Sequence, residues 1–414
     1  MQDFQYSGGR LCCEEVPLES LAAQVGTPCY VYSERALTRA FTELDRAFDG
    51  IDHLVCFSVK SNANLAVIKH LGDLGAGSDI VSGGELYRSL KAGIPGERIV
   101  FSGVGKSDAE IRYALESGIL CFNVESVPEL EAIDRVAAGM GLTAPVSLRI
   151  NPDVESHTHE YTATGKKEKK FGVPLDDSFE LYREVARFSH LRPFGLDMHI
   201  GSQIVTYDPF VEALTKLVEL YHRLAENGIE LQSIDIGGGL GIRYKDEEPM
   251  CPRVFAQAIL PLVKPLGCRL ILEPGRYISG NAGALVTRVV YYKQTAVKNF
   301  AIVDAGMNDL IRPSLYGSYH KILPVTEASG ASKVKMDVVG PICESGDFLA
   351  HDRELSPVRR GDLLAVLSAG AYGFVMSSNY NSRPRVAEVL VSGSSHRVVR
   401  RAETFEDLVR GEEI

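Results

Sequence analysis

The chain has 414 residues, 45% hydrophobic and 24% charged, with a formal net charge of -10. That acidity argues against a nucleic-acid backbone or an anionic membrane as partner, since both select for excess Lys and Arg, and the length exceeds what one hydrophobic core organises, so two domains are expected. No apolar leader opens MQDFQYSGGR and no apolar run reaches bilayer-spanning length, so a cytoplasmic protein is expected.

In chain order, TPCYVYSE at 27–34 reads as a strand entering a helix start at Ser33 or Glu34, and residues 1–32 are expected to join a β-rich domain. Strand-like runs then recur as HLVCFSVK, GSDIVS, RIVFSG, ILCFNVES, PVSLRINP, PFGLDMHIG, SIDIGGG and RLILEPG. Between them lie amphipathic segments such as ANLAVIKHLGDLG and VPELEAIDRVAAGMG, apolar at three-to-four spacing with Gly near the end. Eight strands alternating with helices predict a parallel (β/α)8 TIM barrel over 33–276. The polar stretch HTHEYTATGKKEKKFG at 157–172 reads as a solvated loop, with a mobile loop near the site as the sharper alternative. From Tyr277 the rhythm changes to β-branched runs such as ALVTRVVYYKQ, KVKMDVVGP and RVAEVLVSG. They predict an all-β domain over 277–414, a β-sandwich or Greek-key-like barrel that also takes in the N-terminal segment.

The eight cysteines, at 12, 13, 29, 56, 121, 251, 268 and 343, form no C-x-x-C pair and no zinc-like spacing with His. Reduced thiols and no metal are expected, and those in LVCFSV and ILCFNV read as buried and inert.

In a (β/α)8 barrel, reactive groups stand at the C-terminal ends of strands. Those positions hold Lys60 after the first strand, Asp79 near the end of the second, and Arg149 with Asn151 at the fifth. His199 follows the sixth, Gly237, Gly238 and Gly239 the seventh, and Glu273, Gly275 and Arg276 the eighth. An amine, a stackable ring, a Cβ-free anion cradle and a carboxylate together suggest pyridoxal phosphate. Lys60, leaving an apolar strand, is expected in a partly desolvated site that favours a nucleophilic amine. A carboxylate at Glu273 beside a pyridine nitrogen keeps that nitrogen protonated and suits decarboxylation, which needs a strong electron sink. Taken singly, Lys60 reads as a snorkelling side chain, the glycine run as a turn and Glu273 as a cap; their shared position in the fold favours the functional reading.

With FSVKSN, GSDIVSGGE, MHIGSQI, GGGLGI, EPGR, RPSLY, CESGD and GAYG in order, nearly the whole chain resembles the fold-type III pyridoxal-phosphate-dependent decarboxylases. IRPSLYGSYH and PICESGD bring it closest to the diaminopimelate branch. The resemblance implies decarboxylation of meso-2,6-diaminopimelate to L-lysine and carbon dioxide, the last step of lysine biosynthesis. It makes Lys60 the Schiff-base lysine, stacks His199 on the cofactor, and gives the phosphate to Ser202 and Gly237–Gly239. Glu273 pairs with the pyridinium, Arg276 bridges cofactor and substrate, Tyr372 closes over the cofactor, and Cys343 returns the proton. The resemblance also implies a homodimer with shared active sites, Cys343 and Glu344 acting across the interface. A substrate with an amino acid at each end further needs a cation and an anion for its distal end: Arg312 with Arg276 for the carboxylate, Tyr316 for a hydrogen bond, Glu344 for the ammonium. Outside that resemblance Arg312 reads as a surface guanidinium and Cys343 as a buried thiol. The alternatives are a decarboxylase of ornithine, lysine, arginine or carboxynorspermidine, or a non-catalytic relative that binds a regulatory partner.

Overall fold

The computed structural model describes residues 2–155, 171–327, 330 and 332–414. Residues 157–170 of the expected polar loop lie outside them. The chain divides into two compact units: Ala40–Ile242 with Glu248–Tyr277, and Met1–Arg39 with Arg243–Glu247 and Ile278–Ile414. Arg243–Glu247, which falls inside the barrel span in the sequence, therefore counts with the β-rich unit.

The first unit is the barrel. Its strands are β1 (His53–Ser58), β2 (Gly77–Ile80), β3 (Ile99–Phe101), β4 (Cys121–Val124), β5 (Ala144–Asn151), β6 (Leu191–Met198), β7 (Ser233–Asp235) and β8 (Arg269–Leu272). Each pairs in parallel with the next, and β8 returns to β1 through Leu270 opposite His53, which closes the ring. The connecting helices end where the sequence signals. The Val127–Met140 helix has Pro128 in its first turn, where the missing N–H would be unpaired anyway, and stops at Gly141 in the left-handed conformation at φ 65°. It buries Leu130, Ile133, Val136 and Ala137, one stripe at helical spacing.

Strand alternation then layers the barrel interior. Cys56, Val100, Cys121, Phe194 and Ile271, from five different strands, pack together across the ring. Side chains two residues further along a strand point to the same face. Ser58, Ser102, Asn123 and Glu273 therefore stand in the next layer above Cys56, Val100, Cys121 and Ile271. On β6 the step from Phe194 to Asp197 is three residues, taken up by a register shift between Pro193 and Gly195.

The second unit is strand-rich. Its long strand β9 (Gly283–Gln294) pairs antiparallel with Cys29–Ser33 and with β12 (Leu363–Val366) at one end, and with β10 (Asn299–Val303) at the other. Beyond β10 the sheet continues in parallel through β11 (Val334–Val339). The strand Cys29–Ser33 also pairs in parallel with β13 (Ala387–Ser392), so the N-terminal segment is an interior strand of this sheet. Leu11, Leu18, Leu21, Val31, Val286 and Val389 share one buried apolar cluster, each contributing about 1.5–3 kcal/mol by leaving water. Among the described residues no helix is long and apolar enough to cross a membrane.

Candidate active site

The barrel gathers its polar residues at the strand ends. Lys60 lies in a single 3-10 turn, Val59–Ser61, directly after β1. Its Nζ is 2.8 Å from Asp79 Oδ2, and about a third of the side chain is exposed (32%) while Asp79 is fully enclosed (0%). An ion pair thus stands where the sequence suggested an apolar surround. Ser58 Oγ donates to Asp79 Oδ2 at 2.5 Å and lies 2.9 Å from the Glu273 carbonyl oxygen, its one hydrogen serving either acceptor, which ties β1, β2 and the end of β8 together.

Glu273 sits deep in the ring and accepts from Asn123 Nδ2 at 3.2 Å and from Ser102 Oγ at 3.3 Å. Asp197 and Asp235 lie beside it, with carboxylate oxygens of all three within 4.8 Å of one another. So many acids in a dry site cannot all ionise. Burial first, and then Asp235, Asp79 and Asp197, hold the Glu273 carboxyl well above its usual range. Burial likewise pushes Asp235 up to about 7, against the opposing pull of the Gly237 N–H.

The glycine run works by shape as well as by its amides. Gly237 and Gly239 have φ of 68° and 100°, conformations that favour glycine. A Cβ on Gly238 would lie 2.2 Å from the Glu273 carbonyl oxygen, and one on Gly239 2.7 Å from that of Gly201. The Gly237 N–H is already committed to Asp235 Oδ1 at 2.8 Å, and the Gly238 N–H reaches His199 Nδ1 at 3.3 Å. His199, partly exposed at the end of β6, is held well below the usual imidazole range by burial and then by the Arg149 and Lys60 cations. Arg276 donates to Ser202 Oγ at 3.0 Å from Nη2 and 3.3 Å from Nε. Gly275 is packed against Ser58 and Ser61, where a Cβ would meet their Cβ atoms at 2.9 and 3.0 Å. Arg149 pairs with Glu125 at 3.1 Å. Lys60, Asp79, His199, Ser202, Gly237–Gly239, Glu273, Gly275 and Arg276 are thus all at one end of the barrel.

The β-rich unit carries the remaining predicted residues. Arg312 opens the short helix Arg312–Tyr316 and is buried (5%), not a surface guanidinium. Its guanidinium lies over the rings of Tyr244 and Tyr316, 5.2 and 5.8 Å from the centroids, and donates to Ser318 Oγ at 3.2 Å. Cys343 and Glu344 are both exposed, which overturns the buried-thiol reading of Cys343. Their loop is organised from within: Asp347 accepts from the Ile342 N–H at 2.6 Å and the Met307 N–H at 2.7 Å, and Asn381 Oδ1 accepts from the Cys343 N–H at 2.8 Å. Tyr372 holds a left-handed backbone at φ 55°, strained for an aromatic residue. A cavity of about 610 Å³ in this unit, lined by Glu19, Arg288, Glu327 and Arg359 among others, includes none of these residues.

Sequence reasoning missed Ser58, Ser102, Asn123, Asp197, Asp235 and Tyr244. The first five carried a signal, a polar residue at an inward position of a strand that is otherwise apolar inside. Tyr244 carried none, since its partner Arg312 lies far along the chain.

Residues 34–280 match the pyridoxal-binding-domain model of the pyridoxal-dependent decarboxylases. The chain is 51% identical over 402 residues to the diaminopimelate decarboxylase of Neisseria meningitidis serogroup A, covering 97% of this chain and 98% of that one. It is 51% identical over 414 residues to the diaminopimelate decarboxylase of Pseudomonas aeruginosa, covering 100% and 99%. The crystal structure of the Helicobacter pylori diaminopimelate decarboxylase complexed with L-lysine superposes with a TM-score of 0.91 at 42% identity, covering 95% of this chain and 98% of that one. With the strand ends of its barrel arranged as described and this likeness running the length of the chain, the protein belongs to the diaminopimelate decarboxylase family of pyridoxal-dependent decarboxylases.

Proposed function

We propose that this protein decarboxylates meso-2,6-diaminopimelate to L-lysine and carbon dioxide, using pyridoxal phosphate, in the cytoplasm. The observation that carries the reading is the convergence of Lys60, His199, the glycine run and the enclosed Glu273 at the strand ends of one barrel. The residues present fit the cofactor. The loop at Gly238 leaves no room for a Cβ, as a backbone cradle for phosphate requires, and Glu273 is a carboxyl already supplied with donors on one oxygen.

When bound, pyridoxal phosphate supplies an electron sink for the pair left on the substrate α-carbon as carbon dioxide departs. Lys60 Nζ would be the amine for its covalent attachment, with Asp79 positioning that amine, and Glu273 would hold the ring nitrogen. His199, kept neutral by burial and its cationic neighbours, offers an uncharged face for stacking. Ser202, Gly238 and Gly239 serve the phosphate, with Arg276 holding Ser202 in place. Gly237 serves through its conformation, its own N–H being spent on Asp235. Tyr372 closes over the cofactor.

Cys343 Sγ–H returns a proton to the α-carbon after the C–C bond breaks. Arg312 and Arg276 take the distal carboxylate, Tyr316 adds a hydrogen bond and Glu344 takes the distal ammonium. The π-faces of Tyr244 and Tyr316 hold the Arg312 guanidinium in one plane, which suits bidentate capture of a carboxylate. The protein acts as a homodimer with shared active sites, Cys343 and Glu344 being delivered across the subunit interface. Carbon dioxide release is the test, comparing meso-diaminopimelate with ornithine, lysine and arginine. Release from meso-diaminopimelate with formation of lysine supports the assignment, preference for another amino acid overturns the roles of Arg312 and Glu344, and turnover that survives Lys60→Ala refutes the chemistry.

A further inference from the structure

We infer that Asp235 is a positioning residue that keeps a proton on Glu273 in the cofactor-free protein while fixing the glycine loop through the Gly237 N–H, so the proton needed by the pyridine nitrogen is already in the site. The inference rests on the proposed cofactor-facing role of Glu273. Asp235 Oδ1 accepts from the Gly237 N–H at 2.8 Å, and its other oxygen, Oδ2, is 3.5 Å from Asn123 Nδ2, which also donates to Glu273 Oε1 at 3.2 Å. Carboxylate oxygens of Asp235 and Glu273 lie within 4.8 Å of each other. Two enclosed carboxyls this close favour one proton between them, since each is acceptor-only when ionised and neither charge is solvated.

The surrounding charges favour keeping that proton on Glu273. Asp235 is 1% exposed and Glu273 4%. The groups acting on Glu273 are the carboxyls of Asp235, Asp79 and Asp197, opposed by the Lys60 ammonium, which is itself paired with Asp79. Arg149 acts on Asp197, where Glu125 opposes it. Burial and three acids outweigh one partly neutralised cation and the Asn123 and Ser102 donors, and retain the proton. With the cofactor bound, the Glu273 carboxyl oxygen would supply the proton that the ring nitrogen needs and would remain beside it as a carboxylate. No proton is then drawn from solvent for this group. Asp235 also joins the two ends of the cofactor mechanically: the loop offered to the phosphate and the carboxyl offered to the ring nitrogen share this one side chain.

The test is calorimetric titration of the cofactor-free full chain with pyridoxal phosphate in buffers of differing ionisation enthalpy, which counts protons exchanged on binding. It is run above about pH 7, where Asp235 is ionised. Asp235→Asn keeps an acceptor for Gly237 but replaces the carboxylate beside Glu273 with an amide, so Glu273 gives up its proton more readily in the empty protein and binding takes up more protons, up to about one, than in the unaltered chain. Asp197→Asn, which removes an acid of the same cluster without that link to Gly237, should change the count less. Asp235→Ala also removes the acceptor and should weaken pyridoxal phosphate binding about ten- to a hundredfold, with circular dichroism confirming that it is folded. Equal proton counts for Asp235→Asn and the unaltered chain would overturn the inference. Glu273→Gln separates the two levels: unchanged affinity and absorbance there would remove the cofactor-facing role of Glu273, and Asp235's role with it. Weakened binding there, alongside equal counts for Asp235→Asn, removes the role of Asp235 alone.

Discussion

Gly237→Ala is a sharp test of whether the glycine run is shaped for a ligand or merely turns the chain. Gly237 has φ 68°, and a left-handed conformation costs a residue with a Cβ about 1–2 kcal/mol. The new Cβ would also stand 2.4 Å from the Met198 carbonyl oxygen and 3.0 Å from His199 Nδ1. The carbonyl is backbone and cannot swing aside, so the loop must move, and overpacking of this kind costs about 1–3 kcal/mol. The native loop geometry is therefore penalised by about 2–5 kcal/mol. If the cofactor-free loop relaxes and the bound loop cannot, the whole penalty falls on binding, which weakens about thirtyfold to several-thousandfold. Gly267→Ala is the control, because Gly267 has nearly the same φ, 66°, but nothing within 4 Å of its would-be Cβ. It should lower stability by about 1–2 kcal/mol and leave binding alone. Absorbance titration of each cofactor-free variant with pyridoxal phosphate, with thermal unfolding alongside, reads both quantities. A Gly237→Ala protein that binds as tightly as the unaltered chain would refute the tight cradle.

Three further outcomes follow from the same geometry. Cys343→Ser should cut turnover while leaving cofactor absorbance and affinity unchanged, since the side chain is exposed and outside the barrel cradle; unchanged turnover would dismiss Cys343 as the proton donor. Arg312→Lys should raise KM for meso-diaminopimelate about tenfold to a hundredfold by losing the planar fork held on Tyr244 and Tyr316, and steady-state kinetics with an unaltered KM would reject its substrate role. His199 gives a pH signature: its folded pKa is depressed, so between that value and the ordinary 6.5 the unfolded chain binds a proton that the folded chain does not. Its contribution to stability therefore falls as pH drops below about 6.5, and thermal unfolding of the cofactor-free protein should lose that part of its acid sensitivity in His199→Gln. An identical pH profile would count against a neutral ring at His199.

Much of this protein was legible before folding because the barrel is written in local periodicities. The eight strand runs all became barrel strands, and Lys60, His199, Gly237–Gly239 and Glu273 could be placed because a parallel barrel puts everything just past a strand at one end. The strand at Cys29–Ser33 was also visible, though its place inside the second sheet depends on partners at Gly283–Gln294 and Ala387–Ser392, hundreds of residues away. Only the tertiary structure decided which polar groups meet. Lys60 reads as an amine on an apolar strand until the neighbouring strand brings Asp79 to 2.8 Å. Gly237 reads as a free N–H until Asp235 is seen to occupy it. Arg312 reads as a surface cation until Tyr244 and Tyr316 cover it. Periodicity fixes which face a side chain takes, because that depends on neighbours two to four residues away. Ionisation and hydrogen bonding depend on distances of a few ångströms between residues far apart in sequence, and those distances exist only once the chain has closed on itself.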